Sequence, residues 1–415
     1  MSRWVTKKIK DFAYTASGGT PSTAIKEYWE NGTIPWINSG ELSQNDFISS
    51  ATTYVTELAL QNSAAKLMPK NTVVIALTGA TTGMSAILEI ETSGNQSITG
   101  IFPSKNHDPL YLLYFLQHNH NKIIGFNIGS AQPHINKSIV DDLEILMPED
   151  VKEQEAISKI IRKVHRAIEQ TEALIAKYRR IKAGLMHDLL TRGIDEHGRI
   201  RSKETHRFVV KNGIEVPEEW EVDTFLKIAL FNPPTNISHI SKDYTITFIK
   251  MEDVSNDAEI INYNERKLSE VINGFTCFQN NDTIFAKITP CLENGKGALI
   301  LGLKNNVGFG STEFHVLRPK QKESSLFIFF YSIYKPFRLR AESQMTGSAG
   351  QQRVQKYFFE TFLIGIPPLN EQEIIGLKIQ SINYQIKIET EMLRKLNSIK
   401  TGLMQDLLSG RVRVM

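Results

Sequence analysis

The feature that most constrains this chain is that it contains itself twice. Ile181-Lys182-Ala183-Gly184-Leu185-Met186-His187-Asp188-Leu189-Leu190 recurs as Ile399-Lys400-Thr401-Gly402-Leu403-Met404-Gln405-Asp406-Leu407-Leu408, with eight of ten positions identical and a spacing of 218 residues. The same spacing carries Glu153-Gln154-Glu155 onto Glu371-Gln372-Glu373, and Gly129-Ser130-Ala131 onto Gly347-Ser348-Ala349. Further upstream the match fades: Thr33-Ile34-Pro35-Trp36-Ile37 parallels Thr245-Ile246-Thr247-Phe248-Ile249 at a spacing of 212, and Trp4 and Trp220 open the halves 216 apart. A solenoid repeat runs roughly 20–50 residues, so this period is too long for one. The 415 residues therefore form a duplicated two-part module: a divergent globular part, then a closely matched tail.

The tails read as long helices. Lys152 to Leu190 contains no proline and one glycine, Gly184. Apolar residues recur in steps of three and four at Ile157, Ile161, Val164, Ile168, Ile175, Tyr178, Ile181, Leu185 and Leu189, one face of a helix close to a coiled-coil seam. The second tail repeats the face at Ile375, Ile379, Ile382, Ile386, Leu393, Leu396, Ile399, Leu403 and Leu407. The one break also repeats, as Thr171 and Glu389. Pro148 and Pro367-Pro368 end the preceding segments, and Gly193 and Gly410 are placed as C-caps. At 1.5 Å per residue each helix is about 58 Å long, and an apolar stripe of that length needs a partner. The obvious one is its own copy. Residues 191–215, rich in charge and glycine, read as an exposed connector that lets the second half begin near the far end of the first helix. That favours antiparallel pairing and an approximate two-fold arrangement.

The globular parts mix alternating runs, such as Thr72–Ala76, Ser85–Leu88, Thr283–Ala286 and Phe314–Leu317, with helical stretches at Pro109–Asn119 and Leu326–Lys335. They are expected to be α+β domains. The division is residues 1–150, a spacer helix at 151–192, the connector at 193–215, a second globular domain at 216–367 and a second helix at 368–410.

Composition excludes several classes. Two cysteines, Cys277 and Cys291, cannot build a disulfide scaffold. The most apolar run, Leu326–Tyr334, falls far short of the roughly 20 residues needed to span a bilayer, and the first residues lack the apolar stretch of a signal peptide. A cytoplasmic chain is expected. The net charge of +3 neither demands nor excludes nucleic acid. Catalytic motifs are missing as well. Asn232-Pro233-Pro234 matches the adenine-holding motif of amino-methyltransferases, but Thr235 stands where an aromatic ring would stack, and no Gly-x-Gly loop suits S-adenosylmethionine. No phosphate-binding loop and no zinc spacing occurs. Pro148-Glu149-Asp150-Val151-Lys152 reads as an acidic helix start rather than a nuclease cluster.

This layout resembles the specificity subunits of type I restriction–modification systems. The matching residues are the two opening tryptophans, Ile34-Pro35-Trp36-Ile37, Gly308-Phe309-Gly310-Ser311-Thr312-Glu313-Phe314, the two Gly-Ser-Ala turns, Ile366-Pro367-Pro368-Leu369-Asn370-Glu371-Gln372, and Gly184–Asp195. The resemblance implies a non-catalytic subunit. Its two target recognition domains each read half of a split, asymmetric DNA site, and its antiparallel coiled coil spaces them. It implies two docked modification subunits that bring S-adenosylmethionine and the adenine-N6 methyltransferase site. Restriction subunits with ATP, Mg and a nuclease join that assembly. Other readings are a two-headed coiled-coil scaffold without a DNA role and a stand-alone adenine methylase. The DNA-reading residues are expected in polar loops after strands and around the Gly-Ser-Ala turns. These are Thr78, Thr81, Thr82, Gln132, His134 and Lys137 in the first half, and Lys287, Thr289, Lys296, Gln351, Gln352 and Arg353 in the second. Lys137 and Arg353 would hold phosphates, glutamines pair with adenine and lysine with guanine.

Overall fold

The computed structural model describes residues 3–43, 46–125, 134–348 and 350–414. The chain divides into two compact units, one of residues 1–172 with 391–415 and the other of residues 173–390. The two long helices, Val151–Thr191 and Leu369–Leu408, each contribute one half to each unit.

The first unit carries a five-stranded sheet in the order Thr15–Ser17, Ile98–Ile101, Val73–Ala76, Ser85–Leu88, Phe47–Ile48. A three-stranded sheet sets Ile34–Ile37 between Thr53–Val55 and Ser93–Gly94. Val73, Ile75, Ile87 and Ile101 alternate onto one face of the larger sheet. That face packs on the helix Pro109–His118 and on Ile157, Ile161, Met404, Leu407 and Leu408 of the long helices.

The second unit repeats this plan. Its four-stranded sheet runs Ala229–Phe231, Phe314–Pro319, Thr283–Ala286, Gly297–Leu299, and the next sheet runs Asn264–Lys267, Thr245–Ile249, Val307–Gly310, Thr276–Gln279. The registers coincide as well as the order. Val73 faces Ile101 and Ala76 faces Ile98; in the copy, Thr283 faces Leu317 and Ala286 faces Phe314. Each second sheet contains one parallel pair, Trp36 with Ser93 and Thr247 with Gly308. The core of this unit is aromatic, with Phe225, Phe285, Phe327, Phe330, Phe337 and Phe359 all buried.

Within each unit the start of one long helix lies beside the end of the other, so they run antiparallel. In the first unit Arg413 pairs with Glu153 and Lys400 reaches His165; in the second Lys182 reaches Asn383 and the N–H of Ile194 reaches Glu371. The matched Glu-Gln-Glu motifs perform the same task twice. Gln154 and Gln372 each donate to the proline carbonyl before their helix, at 2.8 Å in both cases. Glu153 and Glu371 are buried and take an arginine each. Trp4 lies against Gly410 and Trp220 against Gly193, both glycines having positive φ just past a helix end.

Two expectations need correction. Ile157, Ile161, Ile168, Ile175, Ile375 and Ile379 are buried, and Val164, Tyr178, Ile382, Ile386, Leu393 and Leu396 are half-buried. Ile181 and Ile399, however, are 41% and 50% exposed, and the buried face continues through Met186 and Met404. A strict seven-residue stripe drifts around a 3.6-residue helix, and a step of four at Lys182 and Lys400 absorbs the drift. The segment 193–215 is not simply an exposed connector. Ile194 and Arg201 are buried, Ile194 bridges Ile200, and Phe208–Lys211 pairs with Ile214–Pro217 in a hairpin.

Candidate nucleic-acid interface

In both units the strand at the centre of the larger sheet runs out into a loop that a returning segment crosses. In the first unit the N–H of Ile135 donates to the carbonyl of Leu77, and Thr78 bridges His134. In the second, Val354 N–H donates to Lys287, Thr289 N–H to Gln352, and Ile288 bridges Arg353. The structure thus brings Thr78 and His134 together, and likewise Lys287, Thr289, Gln352 and Arg353. Gln132 and the first Gly-Ser-Ala turn lie outside the described residues.

Several of these side chains are committed to the fold. Thr82 is buried, its hydroxyl donating to Gly79 O at 2.8 Å. Thr81 donates weakly to Thr78 O. Lys137 pairs with Asp141 at 2.7 Å, within one short helix. Lys296 donates to the carbonyl of Met251 at 2.9 Å. Arg353 forms a two-pronged pair with Glu313, Nε to Oε2 at 3.0 Å and Nη2 to Oε1 at 2.9 Å. That pair holds the Glu313 carboxyl below its ordinary range. As placed, Arg353 crosses its loop to a carboxylate rather than offering an unpaired charge. Gln351 is exposed, and Gln352 is half-buried.

Residues that sequence reasoning passed over shape the second loop. Arg338 is buried with its guanidinium 4.3 Å from the centre of the Phe285 ring, and it donates to the carbonyls of Ser332, Leu292 and Lys296. It therefore ties down both sides of the loop at 290–296, and burial pushes its pKa down to about 9. His315 sits between Asn232 Nδ2 at 3.2 Å and the carbonyl of Val354 at 2.9 Å, and burial holds its pKa down to about 4. Nothing in the local sequence marks either residue, because each partner is more than five positions away and most are dozens away.

The Asn232-Pro233-Pro234-Thr235 turn is structural. Asn232 has a φ of 45°, its side-chain oxygen accepts from Val316 N–H at 2.7 Å, and its amide faces His315. The groups that would hold an adenine are already engaged. Arg318 stitches the turn to the sheet, donating to Pro234 O, to the Thr235 hydroxyl and in two prongs to buried Asp282. Asp150 Oδ1 accepts from Lys152 N–H at the head of the first long helix, as an acidic helix start does. Among the described residues no cluster of three His, Cys, Asp or Glu side chains is placed to hold a metal, and no helix is long and apolar enough to cross a membrane.

The fold and its loops define a duplicated α+β protein whose two units share a scaffold and differ in what the scaffold presents. The model of the type I restriction modification DNA specificity domain matches twice, over residues 1–177 and 217–399, and the chain belongs to that family. It is 40% identical to the type I restriction enzyme EcoAI specificity subunit of Escherichia coli over 192 residues, covering 44% of this chain and 31% of that protein. The chain thus spans about a third of that relative's length. The type I restriction enzyme MjaVIII specificity subunit of Methanocaldococcus jannaschii is 22% identical over 99% of this chain and 93% of its own length. Among solved structures, the type I restriction–modification system S subunit from M. genitalium superposes with a TM-score of 0.60, at 15% identity, over 98% of this chain and 96% of that one. A chain from a study of complex assembly and conformational transition of the type I R–M system gives 0.53, at 13% identity, over 98% and 97%. At these identities the likeness is one of fold.

Proposed function

We propose that this chain is the DNA-specificity component of a type I restriction–modification complex, a recognition and assembly subunit rather than an enzyme. Each unit is a target recognition domain that reads one half of a split DNA site. The antiparallel helices space the two halves, and modification subunits dock on the chain. Adenine-N6 methylation with S-adenosylmethionine belongs to those subunits. ATP- and Mg-dependent cleavage belongs to restriction subunits, and the assembly works in the cytoplasm. The observation that carries this reading is duplication with divergence. The two units share strand order and register, yet Leu77 in one corresponds to Lys287 in the other. Two copies of one scaffold with different loops suit two different half-sites, so the target is asymmetric.

The test is retention of duplex DNA by the complex purified with its modification subunits. Preference for one bipartite sequence at physiological salt, with affinity falling steeply as salt rises, supports the reading. Equal binding of random and selected duplexes overturns it. A scaffold without a DNA role gives no salt slope at all. Methyl transfer by the isolated chain would instead make it an enzyme.

A further inference from the structure

The second unit has a half-open cavity of about 270 Å³ beside the Asn232–Thr235 turn. Its lining includes Pro233, Pro234, Thr276, Lys287, Thr312 and Phe314, with no carboxylate in it. The Lys287 ammonium makes no ion pair and no side-chain hydrogen bond among the described residues. The nearby carboxylate of Glu313, whose backbone carbonyl accepts from Lys287 N–H, is held in two prongs by Arg353, although it also feels the Lys287 charge. Thr235 is also held, since its hydroxyl accepts from Arg318 at 2.7 Å. The cavity therefore offers one cation and threonine hydroxyls on a rigid floor, flanked by apolar proline and phenylalanine walls.

Among the described residues, the duplicated scaffold is built differently at the equivalent place in the first unit. Lys287 and Leu77 stand one residue past equivalent strands, and each carbonyl accepts from the returning segment. Leu77 is 6% exposed and belongs to a hydrophobic core. Pro234 and Thr235 likewise correspond to Gly18 and Gly19. A β-carbon on Gly18 would lie 2.2 Å from Gly94 O, and one on Gly19 2.4 Å from Ala64 C. At these described positions the first unit is close-packed.

We infer that this cavity is a seat for one phosphodiester of the DNA backbone, with Lys287 as its cation and the Thr276 and Thr312 hydroxyls as further donors. The inference rests on the DNA-binding reading above. Donors without carboxylates select an anion, and the apolar walls suit the sugar edges on either side of a phosphate. The volume, at the lower edge of the roughly 300–1,000 Å³ of small-molecule pockets, has room for one phosphate group. Lysine is a point charge, and a recessed one meets a convex phosphate more readily than a base edge within a groove. Lys287 then sets register on the duplex without reading sequence, in contrast to the guanine contact expected from sequence.

The test compares wild type, Lys287→Ala, Lys287→Arg and a charge control, Lys203→Ala, in the co-purified complex. The probe is a 40-base-pair duplex pool of randomised sequence, with retained molecules sequenced. Lys287→Ala is expected to make the log–log salt slope shallower by about 0.9, the value of one neutralised phosphate, with the selected sequence unchanged. Lys287→Arg keeps the wild-type slope, and so does Lys203→Ala. An unchanged slope for Lys287→Ala overturns the inference, as does a changed base preference in one half-site, which would make Lys287 a base reader. Wild-type complex without salt-dependent DNA retention overturns the DNA-binding reading together with this one. Matching urea midpoints for wild type and Lys287→Ala exclude loss of fold as the cause.

Discussion

Replacing Glu371 with alanine is expected to loosen the joint between the end of the first long helix and the start of the second. The Glu371 carboxylate accepts from Arg201 Nη1 at 2.5 Å and Nη2 at 3.2 Å, from Ile194 N–H at 2.9 Å and from Trp220 Nε1 at 3.2 Å. The Arg201 and Glu371 side chains are only 8% and 7% exposed. Without the carboxylate, the Ile194 and Trp220 N–H groups lose their acceptor, and the buried guanidinium keeps only the Arg192 carbonyl at 3.4 Å and Glu219 at 3.9 Å. Breaking one side of a buried ion pair costs about 3–5 kcal/mol, several times the ~1 kcal/mol of a typical hydrogen bond. The exposed pair Lys203–Glu215, 68% and 49% exposed, sets the contrast, and Glu215→Ala is expected to cost ~0–1 kcal/mol. The double variant Arg201→Met/Glu371→Leu should recover only part of the loss, since it leaves no orphaned charge but still strips the Ile194 and Trp220 N–H groups of their acceptor. Two units need not unfold together, so the readout is amide hydrogen exchange at residues 189–195, alongside urea unfolding. A Glu371→Ala cost below about 1 kcal/mol, or one equal to that of Glu215→Ala, refutes the argument.

Three further outcomes are expected. Burial holds His315 down to about 4 from 6.5, so the unfolded chain takes up a proton below pH 6.5 where the folded chain does not. The stability from its neutral form is complete above pH 6.5 and is lost as pH falls toward 4, at up to about 1.4 kcal/mol per pH unit. His315→Gln should flatten that part of the stability–pH curve, and an unaltered curve would contradict the assignment. Asn232→Ala removes the acceptor for Val316 N–H at a positive φ and should cost about 2–3 kcal/mol by urea unfolding, whereas a surface loop would lose almost nothing. Gly184 and Gly402 are helical with open space around the missing β-carbon, so alanine at either should raise stability by ~0.5–1 kcal/mol. Destabilisation would mean that their backbones are strained.

The scaffold was largely legible because its strongest signals are periodic or duplicated. The long helices showed in steps of three and four, and the repeated Glu-Gln-Glu motif marked the head of each. Its mechanism needed the structure: Glu153 meets Arg413 and Glu371 meets Arg201, 260 and 170 residues apart in the chain. The seam failed at Ile181 and Ile399 because a heptad count ignores helical drift. The candidate site was less legible. Loop position was readable, since polar turns follow strands, but which side chains the fold had already claimed was not. Lys296 is turned onto Met251 O, and Arg353 onto Glu313, 40 residues earlier. Glu313, the carboxylate that feels the Lys287 charge, is itself held in two prongs by Arg353.

Adenine methylome sequencing of cells carrying the complete system, with and without this gene, reads the recognition role directly. A methylated motif made of two short, different specified halves separated by a fixed unspecified gap is expected, and it should disappear when the gene is removed. A motif that is continuous or palindromic, or one that persists without this chain, would contradict that role.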